Sequence, residues 1–147
     1  GNYMQLLDIA FRPKSRAPMQ TKLESMVTKV SGVEQDFRRK PGKRQVTVLS
    51  LEQWQVACEE VATTLPWTVR RANLLVDGVS FDSSMTGKQI KIGQLILLVT
   101  GETDPCPKMD AQHQGLTQAL TPDWRGGVCC RVIADGRVKV GDQLRII

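Results

Sequence analysis

VCCRVIADGRVKVGDQLRII, residues 128–147, carries three short β-branched or apolar runs, 128–133, 138–140 and 144–147, separated by the turn pairs Asp135-Gly136 and Gly141-Asp142. Runs this short, punctuated by Gly and Asp, predict strands at close spacing. The same texture continues toward the N-terminus. Residues 94–99 read as a strand, and 73–76 and 79–81 flank Asp77-Gly78, a short-range hairpin signal. Residues 45–49 read as a strand stopping at Ser50. Leu7, Ile9 and Phe11 alternate with Asp8, Ala10 and Arg12, the period of a strand with one buried face, and that run ends at Pro13. Residues 19–30 are ambiguous, since Leu23, Met26, Val27 and Val30 also suit a short helix; we read them as strand. Residues 31–44, with two glycines, a proline and five cations, read as an exposed loop.

One helix interrupts the strands. Ser50-Leu51-Glu52-Gln53 fits a capping box, in which the serine hydroxyl and the glutamine side chain satisfy helix-start amides. Leu51, Trp54, Cys58, Val61 and Leu65 then follow at spacings of three and four, an apolar stripe that must end before Pro66. Residues 100–121 break the β pattern, and a long interruption of this kind usually serves function. Many short strands with one or two short helices predict a mainly β fold, a closed or nearly closed β-barrel. At 147 residues and 16.4 kDa the chain fits a single domain over residues 1–147, with residues 1–3 reading as a cloning remnant ahead of Met4.

Composition excludes several classes. Apolar residues at 41% and charged residues at 24% are globular values, which argues against global disorder. The longest apolar run, Leu95–Val99, is far below the roughly 20 residues that span a bilayer, so no membrane association is expected. Twenty basic against fifteen acidic residues give a formal +5, a surface that attracts anions such as phosphates. With no basic and apolar leader at the N-terminus, Cys58, Cys106, Cys129 and Cys130 read as reduced thiols of a cytoplasmic protein.

Pro105-Cys106-Pro107 is the most unusual local chemistry. Each proline fixes its own φ and pushes the preceding residue toward extended geometry, so Cys106 is held stiffly in a loop. A pre-ordered thiol loses little entropy on engaging a metal or a transferable sulfur; the competing reading makes Cys106 a small apolar filler. Cys58 lies on the helix stripe and Cys129 and Cys130 are adjacent in a strand, so all three read as core. Asp110 and His113 could form a nucleophile and base set with Cys106, but residues this close on one loop rarely have base geometry. Arg125-Gly126-Gly127 has two open readings, an anion-binding concavity or a glycine bulge at a barrel corner.

In order along the chain, these motifs resemble the MOSC domain, the module that forms the C-terminal part of eukaryotic molybdenum-cofactor sulfurases and also occurs alone in bacteria. Gly32-Val33-Glu34-Gln35-Asp36 is similar to the family's Gly-(Val/Leu)-Glu-Gly-Asp loop, with Gln35 where glycine is usual. Arg44 to Ser50 resembles the following strand, Arg71-Ala72-Asn73 the Arg-x-Asn signature, and Pro105-Cys106 the segment with the family cysteine. Gly126-Gly127, Arg131-Val132, Gly136, Val138, Val140 and Gly141-Asp142 resemble the closing strands.

The resemblance implies a β-barrel in which Cys106 ligates the molybdenum of a pterin cofactor, or carries sulfur as a persulfide. For the first role, Arg71, Arg44, Arg125 and Arg131 are candidates to neutralise the pterin phosphate and Asn73 to bind polar edges. It implies a molybdenum-dependent oxidoreductase that reduces N-oxygenated compounds with a redox partner protein. The alternative is a sulfur carrier loaded by a desulfurase that itself holds pyridoxal phosphate. A third class, nucleic-acid binding through Arg38, Arg39, Lys40, Lys43 and Arg44, is disfavoured because aromatics at 5% offer few stacking platforms.

Overall fold

In a computed structural model describing residues 3–37 and 40–147, the β-branched run after the cationic loop becomes strand β5 (Val46–Ser50). It lies mid-sheet, parallel to β6 (Leu74–Asp77) and antiparallel to β9 (Val128–Ala134). A parallel pair needs a crossover, and helix α1 (Leu51–Glu60) with a 3-10 turn at Trp67–Arg70 supplies it. Outward from this centre run β1 (Gln5–Phe11) and β2 (Gln20–Lys22) on one side. On the other run β8 (Leu95–Glu102), β7 (Gln89–Ile92) and β11 (Leu144–Ile146), giving the order β11-β7-β8-β9-β5-β6-β1-β2. A smaller sheet holds β10 (Gly136–Lys139), β3 (Glu24–Thr28) and β4 (Gly32–Val33), in the order β10-β3-β4.

The large sheet curls until β1, next to the edge strand β2, meets the chain entering β11. Gln5 bridges Gln143, Leu6 N donates to Asp142 O at 2.8 Å, and Leu144 N donates to Met4 O at 3.0 Å. The fold is therefore mainly β, a nearly closed barrel with two helices, α1 and α2 (Leu116–Leu120). Alternation along the strands divides the core in two. Ile9, Val46, Val48, Leu74, Val76 and Cys130 fill the barrel, whereas Ala10, Leu49 and Leu75 face outward against Trp54, Cys58, Leu116 and Leu120. Among the described residues no helix is long and apolar enough to cross a membrane.

Several expectations change in the tertiary structure. The strand reading within residues 19–30 holds, over Gln20–Lys22 (β2) and Glu24–Thr28 (β3); the changes lie elsewhere. Asp77-Gly78 makes no hairpin. A Cβ at Gly78 would lie 2.2 Å from Tyr3 O, and the following chain leaves the sheet. Phe81 then enters the barrel core, its backbone held by the side chain of Gln53 instead of a strand partner. The capping box is correspondingly half made: Ser50 Oγ accepts from Gln53 N at 3.4 Å, but the Gln53 amide is spent on Phe81 and Asp123. The terminal runs do form β9, β10 and β11, yet none pairs with another; their partners are β8 and β5, β3, and β7. Gly136 carries the chain between sheets at a point where a Cβ would lie 2.3 Å from Leu95 N.

Candidate functional site

β8 continues through Glu102, so the interruption expected over residues 100–121 begins only at Thr103, whose N donates to Gly127 O at 2.9 Å. Between the two prolines Cys106 is extended, with φ −102° and ψ 160°. Its carbonyl accepts from Met109 N at 3.0 Å and from Thr117 Oγ1 at 3.0 Å, tying the loop to the 3-10 turn at Pro107–Ala111 and to α2. Met109 is buried beneath. The thiol-bearing residue itself is exposed and lines a cleft of about 360 Å³.

Arg44, Arg71 and Asn73 line the same cleft, together with Arg12, Asp36, Arg70 and Lys108. Asp36 Oδ1 accepts from Arg12 N at 2.8 Å, fastening the cationic loop to the end of β1. Gln35 has φ 73°, the left-handed geometry that favours glycine, and its Oε1 accepts from Lys22 Nζ at 3.3 Å. The loop thus keeps a glycine-like backbone with a non-glycine residue. Asn73 is buried with its amide engaged: Oδ1 accepts from Thr47 N at 3.1 Å, and Nδ2 donates to Ala10 O at 3.2 Å. It braces three strand segments in the cleft wall.

Arg125 and Arg131 are placed elsewhere. Arg125 pairs with Glu60 at 2.7 Å and donates to Ala119 O at 3.0 Å, joining α1 to α2, and Arg131 is exposed on β9; neither lines the cleft. For Gly126-Gly127 the geometry is that of close packing. A Cβ at Gly126 would lie 2.3 Å from Thr103 O and 3.0 Å from Arg70 Nη2; at Gly127, with φ 99°, it would lie 2.5 Å from Val48 O. These glycines let the cleft loop and the buried arginine approach β9.

Arg70 is the residue that sequence reasoning missed. The residue is 7% exposed, its guanidinium donates from Nη2 to Thr103 O at 2.9 Å, and among the described residues Nε has no partner. Burial lowers its pKa; Cys106 and Cys129, when ionised, favour the cation, Arg44 opposes it, and Asp104 favours it. The only sequence signal was its place in the doublet Arg70-Arg71, where charge alone does not say which one turns inward.

The other thiols are inaccessible. Burial raises the pKa of Cys58, where a backbone hydrogen bond partly opposes it, and raises that of Cys130 more strongly; Cys129 is buried against Thr103 Oγ1 at 3.1 Å. Brief treatment of native protein with iodoacetamide is expected to add a single adduct by intact mass, absent in Cys106→Ala; several adducts on the folded protein would contradict this arrangement. Asp110 and His113 are turned to the backbone. Asp110 Oδ1 accepts from Thr117 N at 2.9 Å, which holds that carboxyl below its ordinary value, and His113 Nε2 lies 2.9 Å from Val61 O. Among the described residues neither hydrogen-bonds Cys106. Of the five loop cations, Arg38 and Arg39 lie outside the described residues, and Lys40, Lys43 and Arg44 are exposed.

The sequence matches the MOSC domain over residues 22–145. No curated protein matches it. In fold the chain is similar to the YuaD protein of Bacillus subtilis, with TM-score 0.83 and 17% identity over 98% of this chain and 95% of that one. It is also similar to YiiM from Geobacillus stearothermophilus, with TM-score 0.76 and 19% identity over 98% and 75% of the two chains. For YiiM from Escherichia coli the TM-score is 0.71, at 19% identity over 97% and 69%. At these identities the structures speak for the fold alone; the matched stretch, which takes in the cationic loop, Arg71 to Asn73, Cys106 and the closing strands, places the chain in the MOSC domain family.

Proposed function

We propose that the chain holds a molybdenum–pterin cofactor in this cleft, with the Cys106 thiolate as metal ligand, and reduces N-oxygenated compounds. The observation that carries the reading is an exposed, stiffly held thiol at a cleft rimmed by cations. The donor set fits such a group. A thiolate suits a soft metal centre, Arg44, Arg71 and Lys108 offer charge to a phosphate, and Arg70 adds a buried cation with one unpartnered N–H. When bound, the cofactor supplies two-electron metal redox chemistry. Cys106 anchors it, the arginines neutralise and orient its anionic end, and the walls built on Asn73 and Met109 limit water. Removing one oxygen from nitrogen consumes two electrons and two protons and releases water; a redox partner protein supplies the electrons.

The exposure of Cys106 also favours a second reading, a persulfide carrier loaded by a desulfurase that holds pyridoxal phosphate. Expression in a host that makes the cofactor separates the two. Bound molybdenum in wild type and its loss in Cys106→Ala are expected. A metal-free wild type, or equal metal in the variant, would overturn the proposal; a metal-free protein that gains one sulfur atom on Cys106 from desulfurase and cysteine would establish the carrier.

A further inference from the structure

Beside the Cys106 cleft lies a second hollow of about 440 Å³, lined by Phe37, Lys40, Pro41, Lys43, Arg44 and Gln45. The two share Phe37, Arg44 and Gln45 as a common wall. That wall is held firmly. Phe37 N donates to Arg12 O at 2.7 Å, with the Arg12 guanidinium 4.6 Å from the ring centroid. Gln45 is buried, its Nε2 donating to Lys29 O at 2.8 Å and its Oε1 accepting from Val132 N at 3.0 Å. Gln45 N closes a turn on Gly42 O at 3.3 Å, and Lys43 O accepts from Thr100 Oγ1.

Three cations, Lys40, Lys43 and Arg44, border this hollow, and among the described residues none makes an ion pair. Crowded like charges repel, and a multivalent anion relieves that repulsion. A concavity of this volume matches small-molecule sites, roughly 300–1,000 Å³, more closely than a flat protein interface. Phe37 and Pro41 add apolar wall for an organic body beside the anionic group.

We infer that this hollow is a subsite for the phosphate end of a small molecule whose other end lies in the Cys106 cleft. Lys40 and Lys43 act as point charges and Arg44 as a planar fork on the phosphate oxygens. The inference rests on the preceding reading for the identity of the reacting cleft. The phosphate could belong to the substrate or to a nucleotide extension of the cofactor, and the two sources separate experimentally.

The test titrates purified full-length protein, with and without bound metal, using inorganic pyrophosphate and adenosine monophosphate. The comparison is with Lys40→Gln/Lys43→Gln, two exposed positions outside the Cys106 cleft. Binding to wild type is expected to weaken with salt, and to weaken about tenfold or more in the double variant. Release of a nucleotide from the extracted cofactor, with probe binding only to metal-free protein, assigns the subsite to the cofactor. Absence of nucleotide, with probe binding to the metal-loaded protein, assigns it to substrate. Equal affinities in wild type and variant, or binding of a polyglutamate peptide but neither phosphate probe, would overturn the inference. The metal content of wild type against Cys106→Ala, with Lys40 and Lys43 intact, reports separately on the Cys106 proposal.

Discussion

Gly127→Ala is expected to cost about 2–5 kcal/mol of folding stability, measured as a fall in ΔG from urea denaturation. Two effects add. Left-handed backbone at φ 99° costs a non-glycine residue roughly 1–2 kcal/mol, and a Cβ only 2.5 Å from the Val48 carbonyl oxygen adds overpacking of about 1–3 kcal/mol. The opposing atom is main chain of the central strand, so it has little room to yield. Gly126→Ala has no such φ term and should destabilise less, by about 1–3 kcal/mol. It should also displace the Arg70 guanidinium from Thr103, because the new methyl would crowd both. A Gly127→Ala protein within about 0.5 kcal/mol of wild type, the range of ordinary surface changes, would remove the packing explanation for the glycine pair.

Gln53→Ala should be comparably damaging although Gln53 sits on a helix. Its Nε2 donates to Phe81 O at 3.0 Å and to Asp123 O at 2.8 Å, and its Oε1 accepts from Phe81 N at 2.8 Å. Truncation strands the Phe81 N–H and C=O, at about 1–3 kcal/mol for each buried group left unmade. About 2–6 kcal/mol is therefore expected. The loss should exceed that of Glu52→Ala in the same helix, which removes a bond to Gly78 N at an exposed site. Equal effects in the two variants would mean that Phe81 finds other partners or water.

Much of this architecture was legible beforehand because it is written in local rules. The alternation of Leu7, Ile9 and Phe11 marks β1, although an irregularity between Leu6 and Asp8 puts Leu6 and not Leu7 in the barrel core with Ile9 and Phe11; the β-branched run makes β5, and Ser50 starts α1. Strand β7 was missed because Gln89-Ile90-Lys91-Ile92 is short and half charged, and α2 because five residues carry too little periodicity to register. The extended backbone at Cys106 followed from its flanking prolines, whose constraint is covalent and independent of the rest of the chain, whereas its exposure is decided by the tertiary structure.

Taken alone, the sequence determined a barrel-forming set of strands, one amphipathic helix, and a rigid cysteine loop, since each depends on side-chain period, capping or ring closure within a few residues. Tertiary structure alone decided which arginines meet that cysteine. Arg70 turned inward, Arg44 and Arg71 came to the cleft, and Arg125 was drawn to Glu60. A guanidinium's role depends on which carbonyl, carboxylate or cavity comes within hydrogen-bond reach, and those neighbours lie dozens of residues away along the chain, brought together only when the sheet curls.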